Sequence, residues 1–175
     1  MKKRISKALA LVVSTLSAGS ALAVDLKIND EAPAFTTQTH EGQPFDLKSR
    51  KGQWTVLYFY PKADTPGCTK QACTFRDHIE KIRVQGADVF GVSSDSVEAQ
   101  AAFHKKNHLN FTLLADPKGD IVNLYGTKMP IVKISKRWTF VLDPDLKIRQ
   151  ILKDVDPVKD SVRIADLISS LKKAP

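Results

Sequence analysis

The chain has 175 residues, 27 Lys and Arg against 19 Asp and Glu (formal net charge +8), and two cysteines. The length suits one domain, a hydrophobic content of 42% excludes a disordered chain, and two cysteines cannot staple a scaffold of this size. The positive balance raises nucleic acid or a membrane as partners, so the placement of the charges decides its meaning.

The first segment carries half of that balance. Lys2, Lys3, Arg4 and Lys7 precede an apolar stretch from Ala8 to Leu16, and Ala21-Leu22-Ala23 supplies a small-x-small cleavage pattern. This layout reads as a secretory signal peptide over residues 1–23, leaving one domain over residues 24–175. Its apolar core is too short for a membrane span, which needs about 20 residues. Cleavage removes four positive charges and no negative one, leaving +4. Lys105, Lys106, Lys118, Lys172 and Lys173 are scattered, with no stripe of aromatic and basic residues. Neither nucleic acid nor a stable membrane association is therefore expected. The expected destination is the periplasm, with secretion as the other outlet.

Trp54 to Tyr60 is a continuous β-branched and aromatic run stopped by Pro61, which suits a buried central strand. From Phe75 to Val84, apolar residues at 75, 79 and 82 predict a helix ended by Gly86. Val89 to Ser93 predicts a second buried strand, and Asp95-Ser-Val-Glu98 a capping box opening a helix through His104. Asn110 to Leu114 begins an extended segment, which the Asp116-Pro-Lys-Gly119 turn follows. Trp138 to Leu142 and Lys147 to Leu152 flank Asp143-Pro-Asp145 and predict an antiparallel hairpin. Asp156-Pro157 caps a last helix, on which Ile164, Leu167, Ile168 and Leu171 share one face. The order of elements predicts a three-layer α/β domain with a mixed sheet.

One stretch carries chemistry. Pro61-Lys-Ala-Asp-Thr65-Pro66-Gly67-Cys68-Thr69-Lys70-Gln-Ala-Cys73 lies where the first central strand passes to the first helix, the position at which open α/β sheets place their sites. Pro66-Gly67 favours a tight turn, and Cys68 falls near the first turn of the helix. Unpaired backbone N–H groups and the positive end of the helix dipole favour the thiolate there, which is the nucleophilic form. Thr65 can place its hydroxyl beside the sulfur. On an intact helix Cys73 would stand roughly 8–9 Å from Cys68, Cα to Cα, whereas a disulfide needs about 4.4–6.8 Å. A bond between them requires the first turns to unwind. An exported protein commonly pairs two cysteines structurally, and two buried spectator thiols are the other bland reading. A loop this short constrains the unfolded chain weakly, so the spacing suits a switch better than a staple.

Pro61-x-x-x-Thr65-x-x-Cys68 resembles the active-site signature of the peroxiredoxins, and Thr65-Pro-Gly-Cys-Thr-Lys-Gln-Ala-Cys73 with Phe75-Arg76-Asp77 resembles their bacterioferritin-comigratory, or Q-type, branch. The resemblance continues through Gly91-Val-Ser-Ser-Asp95, Phe111-Thr-Leu-Leu-Ala-Asp116 and Tyr125-Gly126 to Arg137-Trp-Thr-Phe140. Upstream, Ala32-Pro33-Ala-Phe35 and Glu41-Gly42 resemble the opening hairpin of that family. It implies a thioredoxin-like fold and thiol-dependent reduction of hydroperoxides, with Cys68 as the peroxidatic and Cys73 as the resolving cysteine. Pro61 would shield the site, Thr65 would bond peroxide and thiolate, and Arg137 would stabilise the thiolate and the transition state. Trp138 departs from the family pattern, which more often has a small polar residue there. The implied partners are a hydroperoxide and a thioredoxin-like dithiol reductant, with no metal or organic cofactor, and resolution within one chain makes a monomer the expected state. A thiol-disulfide oxidoreductase on the same fold is the alternative, although that chemistry normally uses Cys-x-x-Cys.

The histidines are set aside. His104 and His108 are four apart but have no acid between them, and they read as a solvated helix face. His40 and His78 have no spacing signal. Trp54 and Trp138 are read as packing residues.

Overall fold

The computed structural model describes residues 25–132 and 134–173; the expected signal peptide lies outside them. Seven strands form one sheet in the order β2-β1-β5-β4-β3-β6-β7. They are β1 (Thr36–Thr39), β2 (Pro44–Asp46), β3 (Trp54–Phe59), β4 (Ala87–Ser93), β5 (Thr112–Ala115), β6 (Trp138–Leu142) and β7 (Ile148–Leu152). β3 pairs with β4 and β4 with β5 in parallel, while β1 with β2, β1 with β5, β3 with β6 and β6 with β7 are antiparallel. The mixed sheet and the hairpin after Leu142 are as the sequence predicts.

β3 is buried throughout because both sheet faces are covered, and period-two alternation divides its side chains between them. Val56 and Tyr58 meet Phe75, Ile79 and Ile82 of α1 (Pro66–Arg83) and Ile164 and Ile168 of α4 (Asp160–Lys173). Leu57 and Phe59 point to the other face, where Ile121 and Val122 of α3 (Asp120–Leu124) join Phe35, Phe45 and Phe140. The remaining helix, α2 (Val97–Lys106), contributes Phe103 to the first cluster. This is the expected three-layer α/β arrangement.

Three local expectations differ. The last helix starts at Asp160, so Pro157 precedes it, and Asp156 caps the turn before it by accepting from Val158 N–H at 2.8 Å. The helix around Phe75 starts nine residues earlier, at Pro66. Its first two turns are small and polar and carry no hydrophobic period of their own. Pro66 fits the start of a helix, where its missing N–H costs nothing. The cap of α2 is Ser96, whose hydroxyl accepts from Ala99 N–H at 3.3 Å. The carboxylate of Asp95 is occupied elsewhere, accepting from Ala63 N–H and from Ser93 Oγ, each at 2.7 Å.

Candidate active site

Cys68 sits in the first turn of α1 and is 1% exposed. Strand β3 delivers the chain to this point, and the loop 60–65 is tied to the carboxyl end of β4. Tyr60 N–H donates to Val92 O at 3.1 Å, and Ala63 N–H reaches Asp95 as above. Behind the loop, Gln100 Nε2 donates to Ser93 Oγ at 2.8 Å, and Tyr60 Oη donates to Gln100 Oε1. Burial pushes the Tyr60 phenol well above its ordinary range, so it stays a neutral donor. Pro61 is half-buried at the head of the loop.

The sequence-predicted residues Cys68 and Arg137 meet in space: Arg137 Nη2 donates to Cys68 Sγ at 3.3 Å. Arg137 directly precedes β6. Alternation along β6 puts residues 137, 139 and 141 toward α1 and α4, with Trp138 packed against the opposite cluster. The departure at Trp138 therefore leaves the thiol side of the sheet untouched. Its ring lies under two lysines instead, with Lys136 Nζ at 5.0 Å and Lys153 Nζ at 4.6 Å from the centroid.

Thr65 is the N-cap of α1, and its hydroxyl donates to Lys62 O at 2.9 Å. Among the described residues no hydrogen bond joins it to Cys68. Donation to Lys62 leaves the oxygen able to accept a hydrogen bond from a bound molecule.

Both cysteines are free. Cys73 lies on another face of the intact helix, half-buried, with Sγ 4.0 Å from Asn107 Oδ1 at the end of α2. The structure thus holds the separated pair that helix geometry demands.

Sequence reasoning missed Gln71 and Asp160. Gln71, fully buried, accepts from Arg137 Nη1 through Oε1 and donates through Nε2 to Asp160 Oδ2 at 2.7 Å. Thr139 Oγ1 donates to the same carboxylate oxygen at 2.9 Å. Gln71 follows Cys68 by three positions, the same-face spacing of a helix, and that signal could have found it. Asp160 had none.

A helix N-terminus and a guanidinium beside one sulfur can stabilise negative charge on that sulfur and on an oxygen leaving near it. Among the described residues no group of three or more His, Cys, Asp and Glu side chains is placed to hold a metal ion.

Residues 28–151 match the profile of the AhpC/TSA family. The chain is 41% identical over 142 residues to the chloroplastic peroxiredoxin Q of Sedum lineare, covering 80% of this chain and 76% of that one. It is 38% identical over 135 residues to peroxiredoxin Bcp of Escherichia coli K12, covering 74% of this chain and 86% of that one. The crystal structure of peroxidoxin BcpB from Mycobacterium tuberculosis superposes with a TM-score of 0.78 at 30% identity, over 83% of this chain and 98% of the other.

Proposed function

This chain belongs to the AhpC/TSA family, as a peroxiredoxin of the Bcp or Q type, and from that premise we propose that Cys68 is its peroxidatic and Cys73 its resolving cysteine. The observation that carries the assignment is the Arg137 guanidinium 3.3 Å from Cys68 Sγ at the start of α1. The protein is a thiol-dependent peroxidase. The Cys68 thiolate attacks the terminal oxygen of a hydroperoxide, the O–O bond breaks, and the leaving oxygen takes a proton to become water or an alcohol. Sulfur is left as the sulfenic acid. Arg137 and the first N–H groups of α1 stabilise the negative charge that moves onto oxygen. Thr65 orients the peroxide by accepting its hydrogen bond, and Pro61 limits access of water.

The first turns of α1 then unwind, and the Cys73 thiol condenses with the sulfenic acid to form the disulfide and release water. A thioredoxin-like dithiol protein returns two electrons and two protons and leaves as its own disulfide. Resolution within one chain requires no second subunit, so the working form is a monomer. No cofactor takes part.

Cys68→Ser should abolish peroxide consumption, whereas Cys73→Ser should consume one equivalent and fail to be recycled by a dithiol. Retained turnover in Cys68→Ser would overturn the assignment.

The basic head, apolar stretch and Ala-x-Ala end of residues 1–23 support export. The mature domain over residues 24–175 works in the periplasm, as an antioxidant activity of the cell envelope. Mass measurement of the protein recovered from that compartment should give a chain beginning at Val24, and an intact Met1 or Lys2 terminus would rule this out.

A further inference from the structure

We infer that Asp160 is a positioning residue of the thiol site, holding the Arg137 guanidinium against Cys68 through Gln71. The inference rests on the peroxidase reading above. Gln71 and Asp160 are almost wholly removed from water, at 0% and 2% exposure, so the buried amide needs protein partners at both ends. A guanidinium only donates, and it can be held only by the oxygen end of the Gln71 amide. The two ends of that amide are nearly equal in size, so shape alone does not choose between them. Asp160 chooses. Its Oδ2 accepts from Nε2 at 2.7 Å, and a flipped amide would set oxygen against carboxylate oxygen and N–H₂ against guanidinium.

Both terminal nitrogens of Arg137 are then engaged, with N–H groups left over for a bound peroxide. Nη1 is anchored on Gln71, and Nη2 is delivered to the sulfur. Thr139, from the strand that follows Arg137, donates to the same Oδ2 at 2.9 Å and fixes the carboxylate in turn. Burial raises the Asp160 carboxyl above its ordinary value, while the Gln71 and Thr139 bonds and the charges of Arg163 and Arg137 oppose that rise. Asp160 is the first residue of α4 and 89 positions from Gln71. The packing of α4 on α1 is thereby linked to the geometry of the thiol.

Two rates measured on the full-length protein test this: oxidation of Cys68 by H₂O₂, and alkylation of Cys68 by iodoacetamide against pH. D160A should lower the peroxide rate constant about tenfold and move the alkylation profile to higher pH. D160N, whose Oδ1 still accepts from Nε2, should retain most of both. Adding Q71E to D160A should restore the rate, since a carboxylate presents an acceptor to Arg137 whichever way round it sits. Unchanged kinetics in D160A, or a double variant no faster than D160A, overturns the inference. Should D160A not fold, the double variant is set against Q71M. The former is expected near wild type and the latter about tenfold slower, and equal rates overturn it. Because alkylation needs no peroxidase activity, a wild-type protein that ignores peroxide would sink the functional reading alone.

Discussion

Arg137 and Cys68 lie 69 positions apart in the chain and 3.3 Å apart in space, with the guanidinium donating to the sulfur. The contact is close enough to crowd the backbone beside it, since a Cβ built on Gly67 would stand 3.3 Å from Arg137 Nη2. A lysine could place one ammonium near the sulfur but could not span Cys68 and Gln71 with a planar fork. Arg137→Lys should therefore behave nearly as Arg137→Ala, each lowering the rate constant for peroxide by about 10²- to 10³-fold. Stopped-flow measurement with the reduced variants reads this, and a loss below tenfold in both would remove Arg137 from the site.

Gly91 lies beside Tyr58 in the parallel register of β3 and β4. A Cβ there would fall 2.6 Å from Tyr58 Cζ and Oη and 2.8 Å from Leu113 Cδ2. Tyr58 is fully buried and packed on Phe75 with ring centroids 4.8 Å apart, so it cannot swing away. Gly91→Ala should cost roughly 1–3 kcal/mol by overpacking. Urea denaturation should show a lower midpoint with an unchanged slope, and an unshifted midpoint would contradict the contact.

Local signals in the sequence found local structure. β3 was readable from a run of β-branched and aromatic residues ended by proline, and the hairpin from its Asp-Pro-Asp turn. Cys68 stood out because a thiol at a strand-to-helix junction has a chemical consequence. The first turns of α1 were not readable as helix, because their residues are held by Pro66 and by tertiary contacts and carry no apolar period. Asp95 and Ser96 are adjacent and both able to cap, and only the loop at Ala63 decides which does. Asp160 reads as one acid in an amphipathic helix until the packing of α4 on α1 brings it to Gln71.

His104, expected on a solvated face, is half-buried and stacked on His40 with ring centroids 3.8 Å apart. The pair lines a cavity of about 410 Å³ with Glu41, Arg50, Arg83 and Asp88, at the opposite end of the parallel strands from Cys68. Burial lowers both imidazoles below 6.5, the His104 ring being further lowered by His40, while Glu41 opposes the shift in both. Below the unfolded value the unfolded chain binds more protons than the native one, so the native state loses stability as pH falls through 6.5 and on toward the lowered native values. His104→Phe keeps a stacked ring without a titrating group. Its stability measured against pH should be flatter than that of the wild type across this window, and parallel curves would show that the pair contributes nothing.

Closing the Cys68–Cys73 bond requires the turn between them to unwind, and that turn is attached to α4. Thr74 Oγ1 donates to Gln71 O at 2.9 Å and to Pro157 O at 3.1 Å, Gln71 Nε2 donates to Asp160, and Thr69 N–H donates to Thr65 O at 2.8 Å. When residues 69–74 leave the helix, the Gln71 and Thr74 bonds cannot all persist, and the segment 157–160 loses its ties to α1. Segments held by few buried contacts exchange their amide hydrogens faster. Oxidation by one equivalent of H₂O₂ should therefore speed amide exchange over residues 69–74 and in the stretch leading into α4. The core strand β3 should keep its protection. The Cys73→Ser protein stops at the sulfenic acid and has no disulfide to close, so under the same treatment it should retain the exchange pattern of the reduced form. If the disulfide form protects residues 69–74 as well as the reduced form does, the helix has not unwound and another route must join the two sulfurs.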